Sequence, residues 1–243
     1  MKKPVISVIV PAYNEERCLP QCLTALKNQE FKLPYEIIVV NNNSNDKTAE
    51  IAKKFDVRVV FEKQKGVIFA KQKGLLSAQA EMVAVCDADT RPPKNWLAVI
   101  YQSLNKKGVV GVGGPVKIFH APSWYKKYNH LTFSLVKILN KIKKEPIYLI
   151  GNNLAFKKRA LLAFGGYDTR LSMGEDEFGV LKKVKKMGKV IFTEKMINHV
   201  SGRRAKNRSF YFFFYELPIK YALNYFLSSI FKRQVINPFA DIR

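Results

Sequence analysis

Four short, largely apolar runs recur through residue 89: Val5–Val10, Tyr35–Val40, Val57–Phe61 and Val83–Cys86, with segments of helical character between them. Runs that stay apolar at successive positions mark strands covered on both sheet faces. Strand and helix in alternation call for a parallel sheet with right-handed crossovers. Such a sheet binds its ligands beyond the C-terminal ends of its strands. There the sequence turns polar: Pro11-Ala12-Tyr13-Asn14-Glu15-Glu16 follows the first strand, Asn41-Asn42-Asn43-Ser44-Asn45-Asp46 the second, and Asp87-Ala88-Asp89 the fourth. The intervening helices are expected from Pro20 to about Gln29, up to about Phe55 with Ser44 as N-cap, and over Phe69–Gln79. Neither common glycine-rich phosphate loop is present.

The second half is less regular. A helix is expected at Lys94–Leu104, and a strand broken by glycines at Val109–Phe119. Trp124–Ile142 mixes aromatic, aliphatic and lysine residues at helical spacing, with an apolar portion too short to span a bilayer. The apolar stretch Ile147–Phe156 encloses Gly151-Asn152-Asn153, and a helix is expected over Lys158–Ala163. Gly165-Gly166-Tyr167-Asp168 then makes a turn, and Gly174-Glu175-Asp176-Glu177 opens a helix stopped by Gly188. No repeat or low-complexity linker divides the chain.

Asp87 and Asp89 point to different partners at i and i+2, and a hard divalent cation with a substrate diphosphate fits them. A solvated turn closing the strand is the plainer alternative. The chain carries 42 basic and 19 acidic side chains, a net charge of +23, and so attracts anions: nucleic acid, nucleotide phosphates or acidic lipid headgroups. A hydrophobic content of 47% and an aromatic content of 12% argue against disorder. Cys18, Cys22 and Cys86 have no C-x-x-C spacing and read as reduced cytosolic thiols. The first apolar run is broken by Pro11 and Asn14 and reads as a strand, not a leader.

Taken together and in order, Pro11-Ala12-Tyr13-Asn14-Glu15, the Asn41–Thr48 loop, Asp87-Ala88-Asp89, Gly165-Gly166-Tyr167-Asp168 and Glu175-Asp176 resemble the family 2 glycosyltransferases over roughly residues 4 to 200. The resemblance implies an α/β GT-A fold, with a Rossmann-like, mostly parallel sheet flanked by helices. It also implies a nucleotide-diphosphate-sugar donor, Mn2+ or Mg2+, and inversion at the anomeric carbon. Asp89 matches the metal ligand and Asp87 the carboxylate facing the donor ribose and phosphate. Asp176, with Glu175 beside it, matches the base that takes the acceptor proton. Both acids also suit a helix N-terminus. Pro11, Tyr13 and Glu15 belong to the donor-side motif, with Tyr13 able to stack on a base. Asn42 stands where an aspartate often accepts the uracil N–H, which leaves uridine in doubt. Lys71 lies where the family often carries a cation near the donor, although a solvated helical lysine is the plainer reading. His199 is a candidate second metal ligand. Arg203 and Arg204 suit a departing diphosphate or an acceptor phosphate, or form a solvated basic loop.

The domain reading is therefore residues 1–200, with a nucleotide-binding half at 1–90 and an acceptor half at 91–200, followed by a tail at 201–243. Phe210–Phe231 is about long enough to span a bilayer but holds Glu216, Pro218, Lys220 and Asn224. Basic residues flank it, so an amphipathic helix lying on an anionic membrane fits better, with a sugar or lipid-linked acceptor met at the inner face. Packing of the same face on the catalytic domain stays open. A metal-dependent nucleotidyltransferase and a nucleic-acid-binding protein are the rival functions. Carboxylates at three loops argue against a nucleic-acid partner.

Overall fold

The computed structural model describes residues 3–171 and 174–203, so Arg204 and the expected tail helix lie outside the described residues. The four apolar runs are β1 (Ile6–Ala12), β2 (Tyr35–Asn41), β3 (Arg58–Phe61) and β4 (Met82–Val85), joined through α1 (Leu19–Lys27), α2 (Thr48–Lys54) and α3 (Val67–Ser77). They are followed by β5 (Thr90–Arg91), α4 (Trp96–Leu104), β6 (Val109–Gly113), β7 (Val116–Phe119), α5 (Ser123–Lys143), β8 (Leu154–Lys157) and α6 (Lys158–Leu162). A π-helical turn, Glu175–Gly179, then runs into α7 (Val180–Lys185), β9 (Lys189–Phe192) and β10 (Asn198–Ser201).

Seven strands form one sheet in the order β3-β2-β1-β4-β8-β6-β9, and β5, β10 and β7 form a second. In the large sheet β8 alone runs against its neighbours, so the sheet is mostly parallel. Both halves of the chain contribute strands to it. All of β1 is buried because helices cover both of its faces. Ile6, Val8 and Val10 pack with Leu23 of α1 and Leu97 of α4, whereas Ile9 packs with Ile68 and Leu75 of α3. That alternation is the two-residue period of a strand applied to two cores.

Three local expectations change. Helix α2 begins at Thr48 after Lys47, and Ser44 is no cap, since its hydroxyl accepts the Asn14 N–H at 3.1 Å. The expected strand over Val109–Phe119 divides at Gly113-Gly114-Pro115, with β6 in the large sheet and β7 in the small one. Buried Asn153 pins that corner: its amide donates to the Pro115 and Met196 carbonyls at 2.7 Å each and accepts the Trp96 indole N–H at 2.9 Å. The helix expected from Gly174 starts with the π turn. Among the described residues no helix is long and apolar enough to cross a membrane.

Candidate active site

The loops after β1 and β2 brace one another. Glu15 N–H donates to Thr48 Oγ1 at 2.8 Å, Glu16 N–H to Asp46 Oδ2 at 3.0 Å, and Asn45 N–H to Asn14 Oδ1 at 2.9 Å. Burial opposes the charge on Asp46, but hydrogen bonds from Thr48 and Glu16 outweigh it and hold its carboxyl below the usual range. Half-buried Tyr13 has the Lys65 ammonium 5.4 Å from its ring centroid. Pro11, grouped with the donor side by its motif, is a buried residue of β1 in register with Val40.

The Asn42 amide donates to the Glu62 and Gln64 carbonyls at 3.3 and 2.6 Å, and its oxygen accepts the Gly66 N–H at 2.7 Å. The side chain fastens the loop that leads into α3. An aspartate there could not donate to the two carbonyls, which accounts for the amide.

The expectation of a solvated Lys71 is overturned. Lys71 is 1% exposed, and its ammonium donates to Asp176 Oδ2 at 2.5 Å and to the Gly151 carbonyl at 3.1 Å. Burial works against its charge, but the Asp176 and Asp87 carboxylates prevail and hold its pKa above the ordinary lysine value. For Asp176 burial likewise opposes ionisation, while Lys71 and a hydrogen bond shared with Glu177 pull its pKa below the usual range. One ammonium thus joins the end of β4 to the π turn.

Glu175 faces elsewhere. Fully buried, it accepts the Asp168 N–H at 2.8 Å and the Lys183 ammonium at 2.5 Å, and burial still raises its pKa. Successive helical residues point about 100° apart, so the two acids serve different partners. Glu175 is a structural tie between the Gly165–Asp168 turn and α7, not a second base. From α3, Gln72 receives the Tyr167 N–H at 2.8 Å and donates to the Gly165 carbonyl at 3.2 Å. Gly166, at φ 83°, lies so close to Gln72 that a Cβ would collide with its amide.

On the other side of the Asp87-Ala88-Asp89 turn lies a cleft of about 170 Å³ lined by Cys18, Gln21, Asp89, Arg91, Phe119, His120 and Ser201. Arg203 reaches both Glu15 carboxylate oxygens at 2.5 Å and stands 3.9 Å from Asp89 Oδ2. It is thereby a built part of the site and not a solvated loop residue. The strand β10 fixes Asp89, whose carbonyl accepts the Ser201 N–H at 3.1 Å. His199 is exposed on β10 beside Lys117 and is not among the residues lining this cleft; burial and then Lys117 lower its pKa. The histidine in the cleft is His120, which sequence reasoning missed because it follows an ordinary strand with no motif around it. Among the described residues no three His, Cys, Asp or Glu side chains converge as a metal cage. A hard cation placed at Asp89 would have to draw its remaining ligands from a bound phosphate and water.

A family model described as Glycosyl transferase family 2 matches residues 7–164, more than half of the chain. The chain belongs to glycosyl transferase family 2. It is 30% identical over 191 residues to the Probable glycosyltransferase YdaM of Bacillus subtilis, covering 71% of this chain and 45% of that one. Over 151 residues it is 28% identical to Glycosyltransferase AglE of Haloferax volcanii, covering 59% and 50%. The matches thus span about half the length of these relatives. Among solved structures, the mannosyltransferase PcManGT from Pyrobaculum calidifontis, in complex with GDP-Man and Mn2+, matches with a TM-score of 0.68 at 22% identity, covering 99% of this chain and 68% of that one. TarS of S. aureus in complex with UDP-GlcNAc matches at 0.61 and 19% identity, covering 81% and 58%. These likenesses show the GT-A fold expected from the sequence.

Proposed function

We propose that this family 2 chain is an inverting glycosyltransferase that moves a sugar from a nucleotide diphosphate to an acceptor hydroxyl or phosphate, with Asp176 as base. The observation that carries this reading is the buried Lys71 ammonium shared by Asp87 and Asp176. It keeps Asp176 ionised in a place where burial alone would protonate it. In a direct displacement, the acceptor oxygen bonds to the anomeric carbon as its proton passes to Asp176. The bond from that carbon to the β-phosphate oxygen breaks, and the nucleoside diphosphate leaves. Asp87 faces the donor ribose and phosphate. Arg203 exchanges Glu15 for the departing diphosphate, since a guanidinium already aligned on a carboxylate presents the same fork to phosphate oxygens. A divalent cation held by Asp89, Mn2+ or Mg2+, would act as Lewis acid on the leaving group. The GDP-Man with Mn2+ and the UDP-GlcNAc in the two structural neighbours support a nucleotide-sugar donor.

The acceptor on this reading is lipid-linked or sits at a membrane surface, because the basic, aromatic-rich sequence of residues 204–243 suits an anionic interface. The test is a thermal-shift screen of nucleotide-sugar donors with and without Mn2+, followed by product analysis. Release of nucleoside diphosphate is expected. Release of pyrophosphate would mean nucleotidyl transfer and overturn the proposal.

A further inference from the structure

Helix α5 contributes no fully buried residue to the fold. Leu131, Leu135, Ile138 and Ile142 recur at i, i+4, i+7 and i+11, so they align along one face, and they are 55% to 69% exposed. The opposite face makes the helix's contacts with the domain: Phe133, for example, packs against Phe192 of β9 at a centroid distance of 6.0 Å. From Ser123 to Lys144 the chain carries six lysines and no acidic residue. Lys126, Lys127, Lys141, Lys143 and Lys144 are exposed, whereas Lys137 is paired with Glu194 at 2.7 Å. At the N-terminal end Trp124, Tyr125 and Tyr128 form an aromatic cluster, with Trp124 and Tyr125 edge to face at 5.5 Å and Tyr125 stacked on Tyr128 at 6.4 Å.

We propose that α5 docks on an anionic lipid bilayer, laying its Leu131–Ile142 stripe among the headgroups with its lysines against their phosphates and its aromatic end at the interface. An apolar stripe edged by lysine and ended by Trp and Tyr has the composition of an interfacial helix. The charge decides against the chief rival occupant. A second copy seated on the same stripe would bring two acid-free rows of lysines together, whereas an anionic surface neutralises them. The position of the helix gives docking a consequence. Phe119 and His120 line the Asp89 cleft, and α5 begins three residues later, so the docked helix holds the cleft at the lipid surface. That consequence rests on the transferase reading; the docking does not.

The full-length protein is tested by flotation with vesicles of phosphatidylcholine, with and without phosphatidylglycerol, and by quenching with brominated lipid. The chain has two tryptophans, and Trp96 is fully buried, so lipid quenching reports Trp124. The expected result is binding to the anionic vesicles only, quenching that disappears in Trp124→Phe, and at least tenfold weaker binding of Leu135→Glu/Ile138→Glu. Both substitutions are on exposed positions, and an unchanged melting curve checks the fold. Vesicle binding with Trp124 unquenched, or undiminished by the double substitution, would overturn the proposal, because another part of the chain would then be the anchor. Absence of wild-type binding would overturn it too, as would a wild-type dimer that the double substitution dissociates. Donor-induced thermal shifts, measured without lipid, report separately on the transferase reading.

Discussion

Lys71 brings its charge into a helix face otherwise made of core residues, with Ile68 three residues before it and Leu75 four after. That spacing is the signal by which the sequence could have shown it to be buried. Its partner Asp176 is 13% exposed, so removing the ammonium leaves a nearly buried carboxylate uncompensated. Lys71→Met is therefore expected to cost about 3–5 kcal/mol at neutral pH, measured by denaturant unfolding. The pH dependence follows from the directions of the two shifts. The folded pKa of Asp176 lies below its ordinary 3.8, so its contribution is full above about pH 4 and is lost as pH falls through the depressed value. That of Lys71 lies above 10.5, so its contribution is full below 10.5 and is lost only as pH rises through the elevated value. The pair is thus intact across the neutral range. In the methionine variant the ammonium no longer offsets burial, the largest influence on Asp176, and its pKa rises, so the deficit against wild type should shrink as pH falls from about 7 to about 5. A constant deficit would show that no charge is stranded. Asp176→Asn keeps the shape and the oxygen that faces Lys71 while removing the base. Its turnover number should fall by about 10²–10⁴ with donor affinity nearly unchanged; a collapse of donor affinity instead would assign Asp176 to the wrong substrate. Asp89→Asn should abolish stimulation by Mn2+ while leaving the melting temperature without cation close to wild type. Activity that survives chelation would refute the metal's role.

Element positions were legible wherever burial alone decides them. The four parallel strands came from apolar continuity, and their ligand-binding edge followed from the direction of the crossovers. The pattern could not show that β8 runs against the rest, because antiparallel and parallel buried strands have the same composition. Nor could it show the π turn, where the hydrogen-bond ladder slips by one residue at Glu175–Gly179. The partners of Asn42 and Glu175 were hidden for a related reason: a motif identifies a residue type at a position but not which neighbour saturates it. The approach of α3 to β1 was likewise invisible until the two were packed. A Cβ on Gly74 would collide with Ile9 Cγ2, and Gly74 lies three residues from Lys71 on the same side of the helix. Alanine there gains about 1 kcal/mol of helix propensity but meets an overpacking cost of about 1–3 kcal/mol. Gly74→Ala should therefore lower the melting temperature and, by lifting α3, draw Lys71 away from Asp176 and lower turnover. A more stable protein with wild-type turnover would mean that the helix has room to spare.

Across the whole molecule, charge is divided by role. The net charge is +23, and exposed lysines edge the apolar stripe of α5, whereas Glu15, Asp87, Asp89 and Asp176 gather around the candidate site. On the transferase reading, a donor diphosphate would travel through a positive field to reach a site whose own carboxylates are balanced by Lys71 and Arg203. The two ranges of electrostatics separate experimentally, because salt screens the first and hardly reaches the second. The Debye length shrinks from about 30 Å at 0.01 M ionic strength to about 8 Å at 0.15 M. Attraction acting across the surface should fade over that interval, while the Lys71–Asp176 contact, at 2.5 Å and nearly buried, should persist. The expected outcome is that kcat/KM for the donor falls several-fold between those salt concentrations at fixed Mn2+, with kcat unchanged, since steering raises encounter and not chemistry. Assays in neutral detergent, without vesicles, keep membrane docking out of the measurement. A kcat that falls in parallel with kcat/KM would locate the salt-sensitive contacts in the transition state, and Arg203 would be the residue to substitute next. A flat kcat/KM would mean that the surplus lysines act on a surface remote from donor entry and serve docking alone.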